Sequence, residues 1–307
     1  MKALFLGLFF FLPALAFAQN YYDSTATKQK VVFVTLRDGT SLRGQILPSS
    51  GNQVRLKTEN LGEVTLEMTQ IAEIREADGF TRNGRFYGRN PFYISYFASP
   101  AASTLRRGEG VYQNTYVFMN SVNFGVTDHL TMGGGFLLIP GTGTTKNFFV
   151  TPKVCLNPNG RVRVGIGTLL GVFFVRNYTG FGNQRENRTE VGGIAYGNVT
   201  FGDQEKNGTI GLGWGYGNGE IGRQPVVSAS YMARAGRKVA FITDNFMITA
   251  AGETVGLVSA GLRIFGERIG GDIAIYTPIG GDLGRLFILP FASLKVKFGR
   301  EKNGLSD

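Results

Sequence analysis

Hydrophobic and polar positions alternate with a period of two along most of this chain. In Gly208–Gly217 the large residues Ile210, Leu212, Trp214 and Tyr216 are separated by Gly211, Gly213 and Gly215. Successive side chains of a strand point to opposite faces, so this stretch reads as a strand bulky on one side and bare on the other. The run 161–176 sets Val162, Val164, Ile166, Leu170, Val172 and Phe174 against Arg161, Arg163, Gly165, Gly167 and Gly171. Near the end, Ala292, Leu294, Val296 and Phe298 oppose Ser293, Lys295 and Lys297, and Ile273 and Ile275 oppose Asp272 and Ala274. The stretch 190–202 fits neither face cleanly.

Twelve such segments are predicted, at about 92–98, 111–125, 130–139, 147–156, 161–175, 190–202, 208–217, 225–233, 238–246, 254–265, 269–277 and 287–298. Their connections alternate in length. Tight turns at 126–129, 157–160, 203–207, 235–237 and 266–268 face longer links at 99–110, 140–146, 176–189, 218–224, 247–253 and 278–286. Short turns at one end and long loops at the other mark an outer-membrane barrel, in which lipid rewards the bulky face and closure leaves no unpaired edge. The expected fold class is all-β: an antiparallel transmembrane β-barrel of about 12 strands, spanning 92–299, with both ends at the short-turn side. Trp214 and Tyr216 fall where an aromatic girdle belongs.

Ahead of the barrel, residues 30–77 form a separate pattern of five short strands, with hairpin signals at Asp38-Gly39 and Asn60-Leu61-Gly62. A polar, Gly/Arg-rich linker is expected at 78–91, and a polar tail at 300–307. Residues 1–18 read as a signal peptide: Lys2, an apolar run to Leu15, and Ala16-Phe17-Ala18 as the cleavage site. The chain is thus expected to leave the cytoplasm, with the 30–77 unit in the periplasm and the barrel in a bacterial outer membrane.

Composition sharpens this picture. The 307 residues include 45 Gly, 25 Phe and 12 Tyr, with 18% charged residues against about 25% in ordinary globular chains. The net charge of +10 is carried beyond residue 77: residues 19–77 hold seven basic and seven acidic residues, residues 78–307 hold 24 and 15. No basic helix or Lys/Arg run points to nucleic acid. The expected partners are outer-membrane lipid, lipopolysaccharide, the barrel-assembly machinery and small anionic solutes. Cys155 is the sole cysteine and reads as a strand residue.

Two resemblances add to these readings. "LRDGTSLRGQI" within 30–77 resembles the Sm-like or SH3-like domains of exported bacterial proteins. "NSVNFGVTDHLTMGGGF" (Asn120 to Phe136), with "SPAASTLRRGEGVYQNTYVF", resembles uncharacterised outer-membrane barrels of Bacteroidota-type bacteria, which implies the barrel and the compartment and no substrate.

Catalysis is not expected. The one histidine, His129, falls in a predicted turn, and no serine or carboxylate spacing points to a hydrolase. The glycine strings lack a P-loop lysine, and Asp244, Glu253, Asp272 and Asp282 are too scattered for calcium. No cofactor or metal is predicted. The candidate functional residues are charges on the inner face or rim: Arg161, Arg163, Arg263, Asp272, Lys295 and Lys297. A basic lumen favours anions, so the leading expectation is a narrow pore or small-solute barrel with anion preference. The alternatives are a structural or interaction barrel working through its loops or N-terminal unit, and, third, a lipid-modifying membrane enzyme.

Overall fold

The computed structural model describes residues 31–49, 51–82, 85–138, 147–178, 185–250, 253–280 and 287–299. The expected signal peptide at 1–18 and tail at 300–307 lie outside them. The chain divides into two units, with the boundary between Arg89 and Asn90.

In the first unit, β1 (Val31–Leu36), β2 (Ser41–Leu47), β3 (Gln53–Thr58), β4 (Gly62–Glu67) and β5 (Ile71–Glu76) form one antiparallel sheet in the order β4-β3-β2-β1-β5. Val32, Val34, Leu56 and Leu66 make its core. Gly39 turns the first hairpin at φ +86°, where a side chain would be strained. Gly44 is required by a close approach: a Cβ there would sit 2.5 Å from the Lys57 carbonyl oxygen. The stretch expected to be only a linker holds a hairpin, β6 (Gly79–Arg82) with β7 (Arg85–Gly88), whose Phe80 and Tyr87 rings stack at 5.5 Å. Its alternating Phe and Tyr outweigh the polar residues that suggested a linker.

The second unit, Asn90–Gly299, is a closed antiparallel barrel of 12 strands. In order these are β8 (Glu109–Thr115), β9 (Met119–Gly125), β10 (Leu130–Leu137), β11 (Asn147–Val150) with β12 (Lys153–Cys155), β13 (Val162–Tyr178), β14 (Arg185–Gly202), β15 (Lys206–Gly217), β16 (Glu220–Arg234), β17 (Val239–Ala250), β18 (Glu253–Phe265), β19 (Ile269–Ile279) and β20 (Leu289–Gly299). Both β11 and β12 pair with β10 and β13, so they form one strand interrupted at Thr151-Pro152. Pairing of β20 with β8 closes the ring.

The strand count agrees with the expectation, but two segments behind it are corrected. Residues 111–125 are a hairpin: Tyr116 and Val117 turn the chain at φ +54° and +68° without glycine. The Asn114 amide bonds both the N–H and the carbonyl of Val117, standing in for the turn's own hydrogen bonds. Residues 92–98 are not a strand at all; they lie inside the barrel. The barrel wall therefore begins at Glu109. Several expected long links are also mostly strand: β13 and β14 run to 17 and 18 residues, and 218–224 reduces to a two-residue turn at Asn218-Gly219, both at positive φ.

The two faces separate as alternation predicts. Ile210, Leu212, Trp214, Val164, Ile166, Ile273, Ile275 and Leu294 are exposed on the outside, while Asn207, Thr209, Asp272, Ala274 and Lys295 are buried inside. Directly opposed residues share a face, which resolves 190–202: Tyr196, Asn198 and Thr200 oppose the inward Gly167, Gly165 and Arg163.

Candidate functional site

The segment from Asn90 to Arg106 fills one end of the lumen. Phe92, Tyr96, Phe97, Ala101, Ala102 and Leu105 are almost fully buried and pack on Val111, Met232, Ile242, Phe265, Ala274 and Phe291 of the wall. The segment has little secondary structure. A turn over 94–101 is closed by Tyr96 N–H to Ser99 O (2.9 Å) and Ala101 N–H to Ile94 O (3.0 Å). Its remaining backbone groups need partners, because a buried unpaired amide or carbonyl costs about 1–3 kcal/mol.

Wall side chains supply those partners. Arg263 donates to the carbonyls of Phe92, Ser95 and Tyr96, and it pairs with Asp272 through Nε (2.6 Å) and Nη2 (3.0 Å). Lys295 Nζ bonds Asp272 Oδ2 at 2.9 Å and donates to Tyr96 O at 3.2 Å. Asp244 accepts the N–H groups of Ala98 (2.8 Å) and Ser99 (2.9 Å), the Ser99 hydroxyl, and the Ser230 hydroxyl (2.7 Å). Arg263 and Lys295 thus share Asp272, while Asp244 holds the 98–99 backbone. Lys153 donates to Ile94 O and Ala101 O, Asn198 to Pro100 O, while Thr200 and Thr131 accept the N–H groups of Ala102 and Leu105.

Three inner glycines serve the same purpose. A Cβ on Gly165 would sit 2.9 Å from the Ala102 Cα, one on Gly270 would lie 2.4 Å from the Phe92 ring, and one on Gly125 would strike the Arg106 carbonyl. These three positions are bare where the plug passes, whereas Gly211, Gly213 and Gly215 meet neighbouring wall groups.

Entry to the plug is tied at a turn outside the membrane-spanning strands. Asn90 N–H donates to Glu205 Oε1 (3.2 Å), and Arg234 Nε donates to Glu205 Oε2 (2.5 Å). Burial pushes the Glu205 carboxyl above its usual range, with Arg234 pulling the other way.

The charges picked out from sequence separate into two groups. Arg263, Asp272 and Lys295 are brought together as described. Arg163 is buried and donates to Gly160 O; Lys297 pairs with Glu109 at 3.1 Å; Arg161 is exposed in the turn before β13. Trp214 is exposed on the outer wall, and Tyr216 bonds Thr168 through its hydroxyl. Both border an open outer groove of about 850 Å³ with Val191, Ala195 and Ile221. His129 Nδ1 lies 2.9 Å from the Cys155 carbonyl oxygen. Among the described residues no cluster of His, Cys, Asp or Glu is able to hold a metal.

Sequence reasoning missed Asp244, Lys153, Asn198, Thr200 and Thr131. A signal existed for Asp244: an acid within "FITDNF", between apolar strand residues, has to face inward and find partners. The plug was also readable in part, since "NPFYISYFASPAAST" is rich in aromatics and small residues yet lacks clean alternation.

No family model matches the chain, and no curated protein matches it. Among solved structures, a loop L8 deletion mutant of OmpT, an outer membrane protein of Vibrio cholerae, aligns at TM-score 0.39 and 12% identity over 88% of this chain and 97% of that one. The in-vitro folded trimer form of OmpT gives 0.35 and 10% over 89% and 97%, and the outer membrane channel DcaP of Acinetobacter baumannii gives 0.29 and 9% over 88% and 94%. Likenesses this distant carry over nothing about substrate or chemistry. The expectation that the chain is not an enzyme is corrected here: with neighbours among OmpT structures at 10–12% identity, enzymatic status is open. The fold is that of an outer-membrane β-barrel.

Proposed function

We propose that this protein is a solute-binding barrel of the bacterial outer membrane whose lumen is closed at the short-turn end. The observation that carries this reading is the 90–106 plug, fastened by side chains of β10, β12, β14, β17, β18 and β20. Solutes enter from the loop end, and passage requires the plug to shift. The apolar outer wall supports outer-membrane residence with lipid and lipopolysaccharide as surroundings. Residues 1–18 serve as a cleaved signal peptide, the barrel-assembly machinery inserts the chain, and the turn end faces the periplasm. Trp214 and Tyr216 mark the loop-side interface. Two of the cations behind the expected anion preference, Arg263 and Lys295, pair with Asp272 and are spent on plug carbonyls, where Lys153 joins them.

Planar-bilayer conductance tests this. The native barrel is expected to be silent, and Asp244→Ala, shown to be folded by heat-modifiable gel mobility, should flicker open as the 98–99 turn is released. Steady conductance from the native protein would refute a closed lumen. A folded Asp244→Ala barrel that stays silent counts against plug movement and favours the structural or interaction role.

A further inference from the structure

The barrel wall is much lower on one side than on the other. Strands β8 and β9 have seven residues each and β10 has eight, against 17 and 18 in β13 and β14. Seven residues at about 3.3 Å each, tilted by about 40°, rise about 18 Å. An outer-membrane barrel presents an apolar band about 25 Å tall, and a spanning strand needs about 9–11 residues. The hairpin tip ends accordingly in apolar residues: Tyr116, Val117 and Phe118 are 44%, 73% and 44% exposed. A turn bathed in water would carry polar residues at these positions. With both barrel ends fixed at the turn side, this tip lies within the hydrocarbon.

From that low rim, aromatic rings lead inward. Tyr116 packs edge-on against Phe291 at 5.4 Å, and Phe291 contacts Phe97 of the plug at 5.4 Å and Tyr276 at 5.9 Å. This cluster is the floor of the loop-side lumen. Above it apolar residues line part of the inner wall, with Ser228 opposite Phe246 and Glu190 opposite Phe173 on the same face. On β17, Phe246 and Ile248 follow Asp244 at alternate positions and so share its inward face. Opposite Ile248 stand Val226 and Val255, and Leu169 opposes Ile194 further round. Ile248, Leu169 and Ile194 remain 37–39% exposed although they face inward. Apolar surface of this kind is left for a ligand.

We propose that the lumen above the plug takes the alkyl chain of a free, single-chain amphiphile of the fatty-acid kind, admitted from the outer leaflet over the β8–β9 hairpin. A 12-strand barrel is narrow, and its turn end is already filled, which favours one alkyl chain over the two of a phospholipid. This inference rests on the closed-lumen reading and names the ligand class for it.

The test uses full-length protein in dioleoylphosphatidylcholine vesicles, with spin-labelled stearic acid as probe and spin-labelled phosphatidylcholine as the competing source. The expected result is a motionally restricted stearate component that saturates at about one per barrel. Val226→Trp, which fills the lumen, and Ile248→Asp, which makes it polar, should each weaken it at least about tenfold in barrels that keep heat-modifiable mobility. An equal component in those variants, its absence from the native barrel, or restriction of the phospholipid label in its place overturns the proposal. Conductance on the same preparation keeps the two readings apart. A silent barrel without bound stearate sinks this inference alone, whereas a steadily conducting one sinks the closed lumen.

Discussion

Glycine on the inner face is the residue-scale device that makes the plugged barrel fit. At Gly165 the Ala102 backbone comes so near that any side chain must displace it. Gly165→Val is therefore expected to assemble, since its outer face is unchanged, but to loosen the 98–105 stretch. Proteolysis or cysteine labelling within that stretch should rise severalfold, and overpacking of this kind costs about 1–3 kcal/mol. Unchanged protection would mean that the plug does not approach β13 as described. The period-two pattern made the glycine face legible at once. What faced those glycines was not, because Ala102 lies 63 positions earlier in the chain and no local pattern links the two.

At the scale of the element, turns decided where the sequence reading succeeded. Asp38-Gly39 is a standard hairpin signal and forms one. Asn218-Gly219 carries an equally strong signal, yet the glycine-rich surroundings hid it inside an expected loop. The Tyr116–Phe118 turn carries no Gly, Pro or Asp, and its enabling residue, Asn114, precedes it in the strand. Asn114→Ala should cost about 1–2 kcal/mol, because Val117 then keeps its positive φ without the amide that holds it. A lowered midpoint of barrel unfolding in detergent checks this, with Asn114→Asp retaining the acceptor and part of the stability. An unchanged midpoint in Asn114→Ala would show that the turn needs no such support.

For the whole molecule, the bilayer acts as the solvent that sorts the faces. Ile273 projects outward at mid-strand of β19 while its neighbour Asp272 points inward to Arg263. Ile273→Arg should reduce barrel stability by about 2–4 kcal/mol, the penalty for a cation on the lipid face near the midplane. Reversible folding into vesicles measures it, and a neutral result would place Ile273 away from lipid. The all-β barrel, its outward face and its short-turn end follow from alternation and turn chemistry, which act between residues close in sequence. The lumen followed a different rule. Residues 92–98 look like one more strand, and the split of 111–125 into two restored the count of twelve. Arg263, Asp272 and Lys295, which suggest an anion path from sequence, are matched to one another and to plug carbonyls. Local order determines which way each side chain points; only closure of the ring decides what it meets there, because the plug groups that Arg263, Asp244 and Gly165 meet are brought from more than 60 residues away.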